Sequence, residues 1–443
     1  MVSMSISNIL FILILLGTVI WFTVNVRKVR RNILLGREKD ISDNKAERWK
    51  VMAKIALGQS KMVKKPISGI LHLFVYLGFV IINIEVLEIV IDGIFGTHRI
   101  FATPLVPVYD VLIASFEILA FLVLAACVIF LIRRNILKIK RFGFREMIGW
   151  PKTDANIILI VEVLLMGAFL SMNAADSILQ QRGEAHYTVA GAFPISNFIS
   201  PWMDGISSAS LISLERGMWW FHIIGILLFL NYLPYSKHFH IILAFPNVYY
   251  SKLNPKGQFN NMEAVTKEVK LMFDPDVDPY ATPAEPEEPV QRFGAKDIQD
   301  LSWKNLMDAY SCTECGRCTD QCPASQTGKL LSPRKIMMDT RDRMEEVGKN
   351  IDKYGKDHKD GKSLLGDYIK EEELWACTTC NACVEACPVS IDPLSIIMEM
   401  RRSLVMEESK IPSELAGMLT NIENNGAPWQ FAQNDRGNWI KEG

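Results

Sequence analysis

"CTECGRCTDQCP" at residues 312–323 returns as "CTTCNACVEACP" at residues 377–388, sixty-five residues later. Each phrase reads C-x2-C-x2-C-x3-C-P, and eight of the nine cysteines in the chain lie inside the two copies. Three thiolates on one tight turn suit three corners of a cubane cluster, and in two-cluster domains the fourth cysteine ligates the other cluster. The spacing therefore predicts two 4Fe-4S clusters with crossed ligands. One takes Cys312, Cys315, Cys318 and Cys387, and the other takes Cys377, Cys380, Cys383 and Cys322. Zinc is the competing assignment, but structural zinc takes separated pairs of cysteines rather than a duplicated four-cysteine phrase closed by proline. Clustered thiols at this spacing also point to a reducing compartment rather than a secreted disulfide scaffold. The ninth cysteine, Cys127, lies in an apolar run and reads as a small buried hydrophobe.

The repetition continues past the cysteines. "LSPRKIMMDTR" follows the first phrase and "IDPLSIIMEMRR" the second. Ser332 and Asp392 read as N-caps with Pro333 and Pro393 at the first helical position, each leading an amphipathic helix. With a mostly helical insert at about 342–374, residues 296–443 read as an α-helical two-cluster ferredoxin domain. Before it, "DPDVDPYATPAEPEEPV" at 274–290 has the composition of an extended linker, and residues 246–295 read as connecting segment plus linker.

Residues 1–245 differ in kind. Five runs, about 6–26, 67–91, 108–132, 155–179 and 217–235, are each near the roughly 20 apolar residues that span a bilayer. The first lacks a basic n-region and a small-residue cleavage site, so it reads as a retained anchor. The loops 27–65 and 133–154 carry thirteen and seven Lys and Arg; the loops 92–107 and 180–216 carry one and two. This asymmetry places the N-terminus outside and the basic loops, with everything after the fifth span, in the cytoplasm. The basic residues need no role beyond setting that topology. The net charge of −1 gives no field for nucleic acid.

Histidines in the spans suggest a further cofactor. His72 lies about two turns into the second helix. His222 and His240, taken as lying on one fifth helix, are eighteen residues apart, five turns or about 27 Å, on one face; His238 would then point the other way. Antiparallel packing brings His72 near the depth of His240, and two imidazoles facing across a bundle form a usual axial pair for b-type haem. For His222 the matching stretch "FVIINIEVLEIV" offers no histidine, leaving His98 or His186 near the outer surface as partners for a second haem. Glu85, Glu88, Glu117, Glu162 and Asp176 also lie in apolar runs, where ionisable groups face the bundle interior. For Glu85 and Glu88 a quinone proton relay and a structural pair bonded to a neighbouring helix are both open.

"GILHLFVYLGF", carrying His72, and "FHIIGILLFLNYLPYSKHFH", carrying His222 and His240, resemble the haem b-binding gamma subunit of membrane-bound nitrate reductases and the haem b subunits of heterodisulfide reductase systems. That resemblance implies exchange of electrons with a quinone. The family's second ligand on the second helix, ten residues after His72, is Ile82 here. "CTECGRCTDQCPASQTGKLLSPRKI", "LWACTTCNACVEACPVSIDP" and the tail "NNGAPWQFAQNDRGNW" resemble the small two-cluster subunit of heterodisulfide reductases and its membrane-fused relatives. Longer relatives continue from this tail into a domain with cysteine-rich CCG motifs. The resemblance therefore implies a cytoplasmic partner of the CCG-domain, heterodisulfide reductase B-like kind.

The expectation is an all-α protein, a five-helix transmembrane haem b bundle followed by a cytoplasmic α-helical ferredoxin domain. Its function would be a membrane-bound electron-transfer subunit between the quinone pool and a cytoplasmic redox partner. A redox-sensing membrane regulator is the alternative, and a small cluster-driven transporter a third.

Overall fold

The computed structural model describes residues 5–106, 108–255, 257–275 and 292–441, so most of the acidic linker expected at 274–290 lies outside the described residues. Among the described residues there are helices and two isolated bridges but no strand. The five spans are α1 (Ile6–Ile33), α3 (Pro66–Phe95), α4 (Tyr109–Asn135), α5 (Trp150–Gln181) and α6 (Ser208–Tyr232), with a short helix α2 (Lys45–Met52) between the first two. All five are long and apolar enough to cross a membrane. Their ends follow local chemistry. Ser5 and Asn8 form a capping box at α1, Pro66 opens α3, and Gly96 closes α3 at φ 71°.

Packing within the bundle uses small residues to bring backbones together. A Cβ at Gly93 would meet the Phe11 ring at 2.6 Å, and one at Gly225 would meet Leu165 at 2.6 Å. The end of the bundle away from the basic loops is tied by buried polar contacts. Glu88 accepts from the Phe101 N–H at 2.8 Å and from the Tyr109 hydroxyl at 3.0 Å. Glu117 accepts from the backbone N–H groups of Ile195 and Ser196, and Arg99 pairs with Asp176 at 2.6 Å. Of the two open readings for the acidic pair, Glu88 has the structural one. Glu85 is buried, and its Oε2 has no hydrogen-bond partner.

The fifth span does not run on to His240. Pro234 has no N–H to continue the ladder, and Ser236 is extended at φ −121°, ψ 151°. Asp154 of α5 holds the break open. It accepts from the Ser236 hydroxyl at 2.7 Å, the Tyr232 hydroxyl at 2.5 Å and the Lys237 N–H at 3.2 Å. A single turn follows, and then α7 (His240–Tyr249). Residue 245, expected as the end of the membrane half, lies inside this helix.

After α8 (Glu263–Met272) and the linker, the remaining chain is α9 (Trp303–Tyr310), α10 (Arg317–Asp320), α11 (Pro323–Gln326), α12 (Pro333–Tyr354), α13 (Glu371–Trp375), α14 (Ala382–Ala386), α15 (Pro393–Met406) and α16 (Ser413–Asn425). Ser332 accepts from the Lys335 N–H and Asp392 from the Ser395 N–H, capping α12 and α15 as their sequences predict. The insert between the cysteine phrases is helical only where α12 continues to Tyr354 and in short turns before and at α13. One core joins the halves, with Val29, Ile33, Leu233 and Phe239 packing among Leu301, Leu306, Tyr310 and Met344.

This docking corrects the topology-only reading of the basic loops. Arg317 donates to the carbonyls of Lys61 and Met62 at 3.1 Å each, and Lys64 pairs with Glu385 at 2.8 Å. The Asn32 amide donates to the Tyr310 hydroxyl at 2.9 Å, and Arg31 pairs with Asp352. A Cβ at Gly348 would meet the tip of the Asn32 side chain at 2.5 Å, so α12 lies close against α1 there.

Candidate functional site

Each cysteine phrase wraps a turn that visits the left-handed region twice, at Glu314 (φ 53°) and Gly316 (φ 72°) in the first copy and at Thr379 (φ 57°) and Asn381 (φ 59°) in the second. Such positions are costly for residues with a Cβ, and they turn successive N–H groups inward. The Thr379 N–H donates to Cys377 Sγ at 3.4 Å, and the Ile391 N–H to Cys387 Sγ at 3.3 Å.

Two cavities of similar size result. One is lined by Cys312, Cys315, Cys318 and Cys387, with Arg334 and Met337 behind them. The other is lined by Cys322, Cys377, Cys380 and Cys383. The last cysteine of each phrase therefore sits with the first three of the other. Burial pushes the Cys312 thiol up to about 11 and that of Cys387 to about 12, and it raises Cys318, Cys377 and Cys383 as well. Four cysteines converging on one space, with the thiols of Cys312, Cys318 and Cys387 raised in the first cavity and those of Cys377 and Cys383 in the second, are well matched to a metal cluster that takes them deprotonated.

The first cavity faces the bundle. Its wall residue Gly316 lies against the Arg141 carbonyl, and Arg334 donates to that carbonyl at 2.7 Å and to Glu146 at 2.8 Å. Arg317, in the same turn, reaches Ser68 of α3 at 3.4 Å, about one helical turn from His72. The second cavity is nearer solvent, with Cys380 exposed.

His72, His238 and His240 form one cluster at the basic end of the bundle. The rings of His238 and His240 are 5.6 Å apart. Burial, then His240, then His72 hold the His238 imidazole down at about 3. The expectation that His238 points away is therefore corrected: the break at Ser236 replaces helical spacing and swings His238 onto the His240 side. For the same reason, the five-turn relation between His222 and His240 does not hold. His240 Nδ1 faces the Lys237 carbonyl at 3.0 Å, which leaves Nε2 available. His72 Nδ1 is buried without a partner. An oriented imidazole and an unsatisfied one in the same cluster have the chemistry of an axial pair for haem.

His222 is buried on α6, with Nδ1 3.0 Å from the Leu165 carbonyl and its ring beside Phe169. His98 and His186 pair with one another, 5.3 Å between rings, and His98 lies 3.6 Å from Asp176. Asp176 is eleven residues, about 16 Å, along α5 from Leu165, so neither histidine is brought to His222.

Sequence reading passed over Asp154, Lys237, Glu314 and Arg334. The signal for Lys237 was inside the quoted "PYSKHFH"; Asp154, Glu314 and Arg334 depend on partners from distant segments.

Residues 304–388 match the family model of the 4Fe-4S dicluster domain. Over 99% of its length the chain is 30% identical to a probable iron-sulfur-binding oxidoreductase, FadF, of Bacillus subtilis, covering 61% of that protein. Over 87% of its length it is 27% identical to the EtfAB:quinone oxidoreductase of Syntrophomonas wolfei, covering 53% of it. A 24% share of the chain is 36% identical to one polypeptide of the ferredoxin/F(420)H(2)-dependent CoB-CoM heterodisulfide reductase of Methanosarcina acetivorans, covering 52% of that polypeptide. The chain thus spans between about half and three-fifths of the lengths of these relatives. No solved structure matches it. By its paired cysteine turns and by these likenesses, the chain contains a 4Fe-4S dicluster domain behind a membrane-spanning half, and along nearly its whole length it is similar to iron–sulfur oxidoreductases.

Proposed function

We propose that this chain is a membrane-bound electron-transfer subunit that links the quinone pool to a cytoplasmic redox partner. When bound, a b-type haem and two 4Fe-4S clusters would supply one-electron carriers along the path. His72 and His240 would hold the haem. Cys312, Cys315, Cys318 and Cys387 would hold the cluster nearer the bundle, and Cys377, Cys380, Cys383 and Cys322 the outer one. The observation that carries the reading is the seating of the first four-cysteine cavity against the segment that bears His240, at the basic end of the five helices.

The roles of the residues follow from position. The Lys237 carbonyl orients His240, Arg334 and Arg317 clamp the first cysteine turn to the bundle, and the exposure of Cys380 puts the second turn where a soluble protein can approach. Placing the dicluster half in the cytoplasm rests on the charge asymmetry of the loops. By resemblance, the partner is a CCG-domain, heterodisulfide reductase B-like polypeptide, and the substrate-side chemistry belongs to it.

The test is anaerobic purification of the full chain in mild detergent, with iron, sulfide and pyridine haemochrome assays, quinol titration, and mass spectrometry of co-purifying proteins. About eight irons in clusters and a b-type haem oxidised or reduced by quinone are expected. Clusters without haem would overturn the quinone path and favour a redox sensor.

A further inference from the structure

The first cysteine phrase carries a charged residue where its repeat does not. Glu314 stands between Cys312 and Cys315, and Thr379 occupies the same place in the second phrase. The backbone is alike at the two, φ 53° and 57°. This left-handed conformation favours no glutamate, so the path of the loop does not account for it.

The surroundings do. Glu314 is 2% exposed. One carboxylate oxygen pairs with Arg341 at 2.8 Å, and the other pairs with Lys237. Lys237 is itself buried; its ammonium group also donates to the Pro151 carbonyl at 2.5 Å and lies 3.8 Å from Asp154. The carbonyl of this same lysine accepts from His240 Nδ1 at 3.0 Å. One residue thus touches the imidazole of the histidine cluster through its backbone and the first cysteine turn through its side chain. Among the described residues no such bridge reaches the second turn, whose Thr379 hydroxyl is spent on the neighbouring Thr378 carbonyl at 2.7 Å.

We propose that Lys237 and Glu314 are a paired positioning device: the Glu314 carboxylate lowers the reduction potential of the first cluster, and Lys237 sets the opposing charge while tying that turn to the backbone that orients His240. A fixed negative charge disfavours an added electron, and a fixed positive charge favours it. Inside a buried site such charges act through a lower effective dielectric than water. Net charge near a cluster is among the levers that set its potential. The inference deepens the electron-transfer reading above and rests on it.

The experiment uses the full chain, purified anaerobically, as wild type and as Glu314→Gln, Lys237→Met, the double variant and Thr379→Ala. Redox titration is followed by paramagnetic resonance for each cluster and by absorption for the haem. Glu314→Gln should raise the ratio of reduced to oxidised first cluster at fixed ambient potential roughly tenfold, about 59 mV for one electron. Lys237→Met should lower it, and the double variant should fall between the two. The second cluster should stay unmoved throughout, and Thr379→Ala should move neither.

The double variant leaves neither Lys237 nor Glu314 buried without the other, and Arg341 keeps Asp342 at 3.4 Å, so it remains informative if a single variant fails to assemble. Opposite signs for the two single variants support a charge role, which a purely structural ion pair would not produce. Shifts in the same direction, or none, overturn the proposal. So does a double variant displaced well outside the two single values. If the wild type shows no cluster or haem signal, the functional reading fails instead, and the two failures are distinguishable.

Discussion

The Arg334 guanidinium, fully buried, donates to the Glu146 carboxylate at 2.8 Å and joins the start of α12 to the loop between α4 and α5. Ser332, the cap of α12, donates to the same carboxylate at 2.6 Å. Burial pushes the Glu146 carboxyl up, but Ser332 and Arg334 outweigh that and hold it below the ordinary range. A charged loop that sequence assigns to topology is thus a docking post for the dicluster half.

Glu146→Ala should leave Arg334 buried and uncompensated, at a cost of about 3–5 kcal/mol. Lower thermal stability in detergent and faster proteolysis between the halves are the expected readings. Pairing it with Arg334→Met should recover part of the loss. An unchanged melting temperature for the single variant would show that the pair does not hold the halves together.

Crossed cysteines make a directional prediction. Cys322→Ser should damage the cluster of the second phrase, and Cys387→Ser that of the first, because each side chain lines the opposite cavity. Paramagnetic resonance of the remaining cluster identifies which was lost. Loss of the first cluster in Cys322→Ser would contradict the crossed arrangement.

For the histidines, His72→Ala and His240→Ala should each abolish the haem absorption near the basic end. His238→Ala should retain it with an altered spectrum, since its ring is 5.6 Å from that of His240 but among the described residues no backbone carbonyl orients it as Lys237 orients His240. Complete haem loss in His238→Ala, with His240→Ala intact, would exchange their roles.

The insert after α12 is held by Arg343, 3% exposed, which pairs with Asp297 at 2.7 Å and with Asp360 at 2.6 Å. The hydrogen bond from Arg343 holds the Asp360 carboxyl down at about 2. A folded-state value below the unfolded one gives stability that is present above the unfolded value, near 3.8, and lost as pH falls toward 2. Asp360→Asn should therefore destabilise the chain by an amount that is constant from about pH 5.5 to 9. A difference that varies across that range would mean that another titrating group governs the insert.

How much of this was legible in the sequence follows from the range of each interaction. The cysteine phrases, the proline-led caps at Ser332 and Asp392 and the five apolar runs are short-range patterns: each is written within one turn, one helix length or one repeated unit. The helix break at Ser236 is only half local. Pro234 signals it, but Asp154, about eighty residues earlier, fixes its geometry, and regular helical spacing therefore misplaces His238 and His240.

Sequence alone determined that two four-cysteine phrases are present for cluster chemistry, and that the chain divides into an apolar and a charged half. Tertiary structure decided that the basic loops carry the dicluster half, that the first cysteine turn faces the bundle, and that Glu314 meets Lys237. The physical reason is that a buried charge is tolerated only beside a counter-charge or hydrogen-bond partners, and here those partners come from segments far apart in the chain, which only the packed fold brings together.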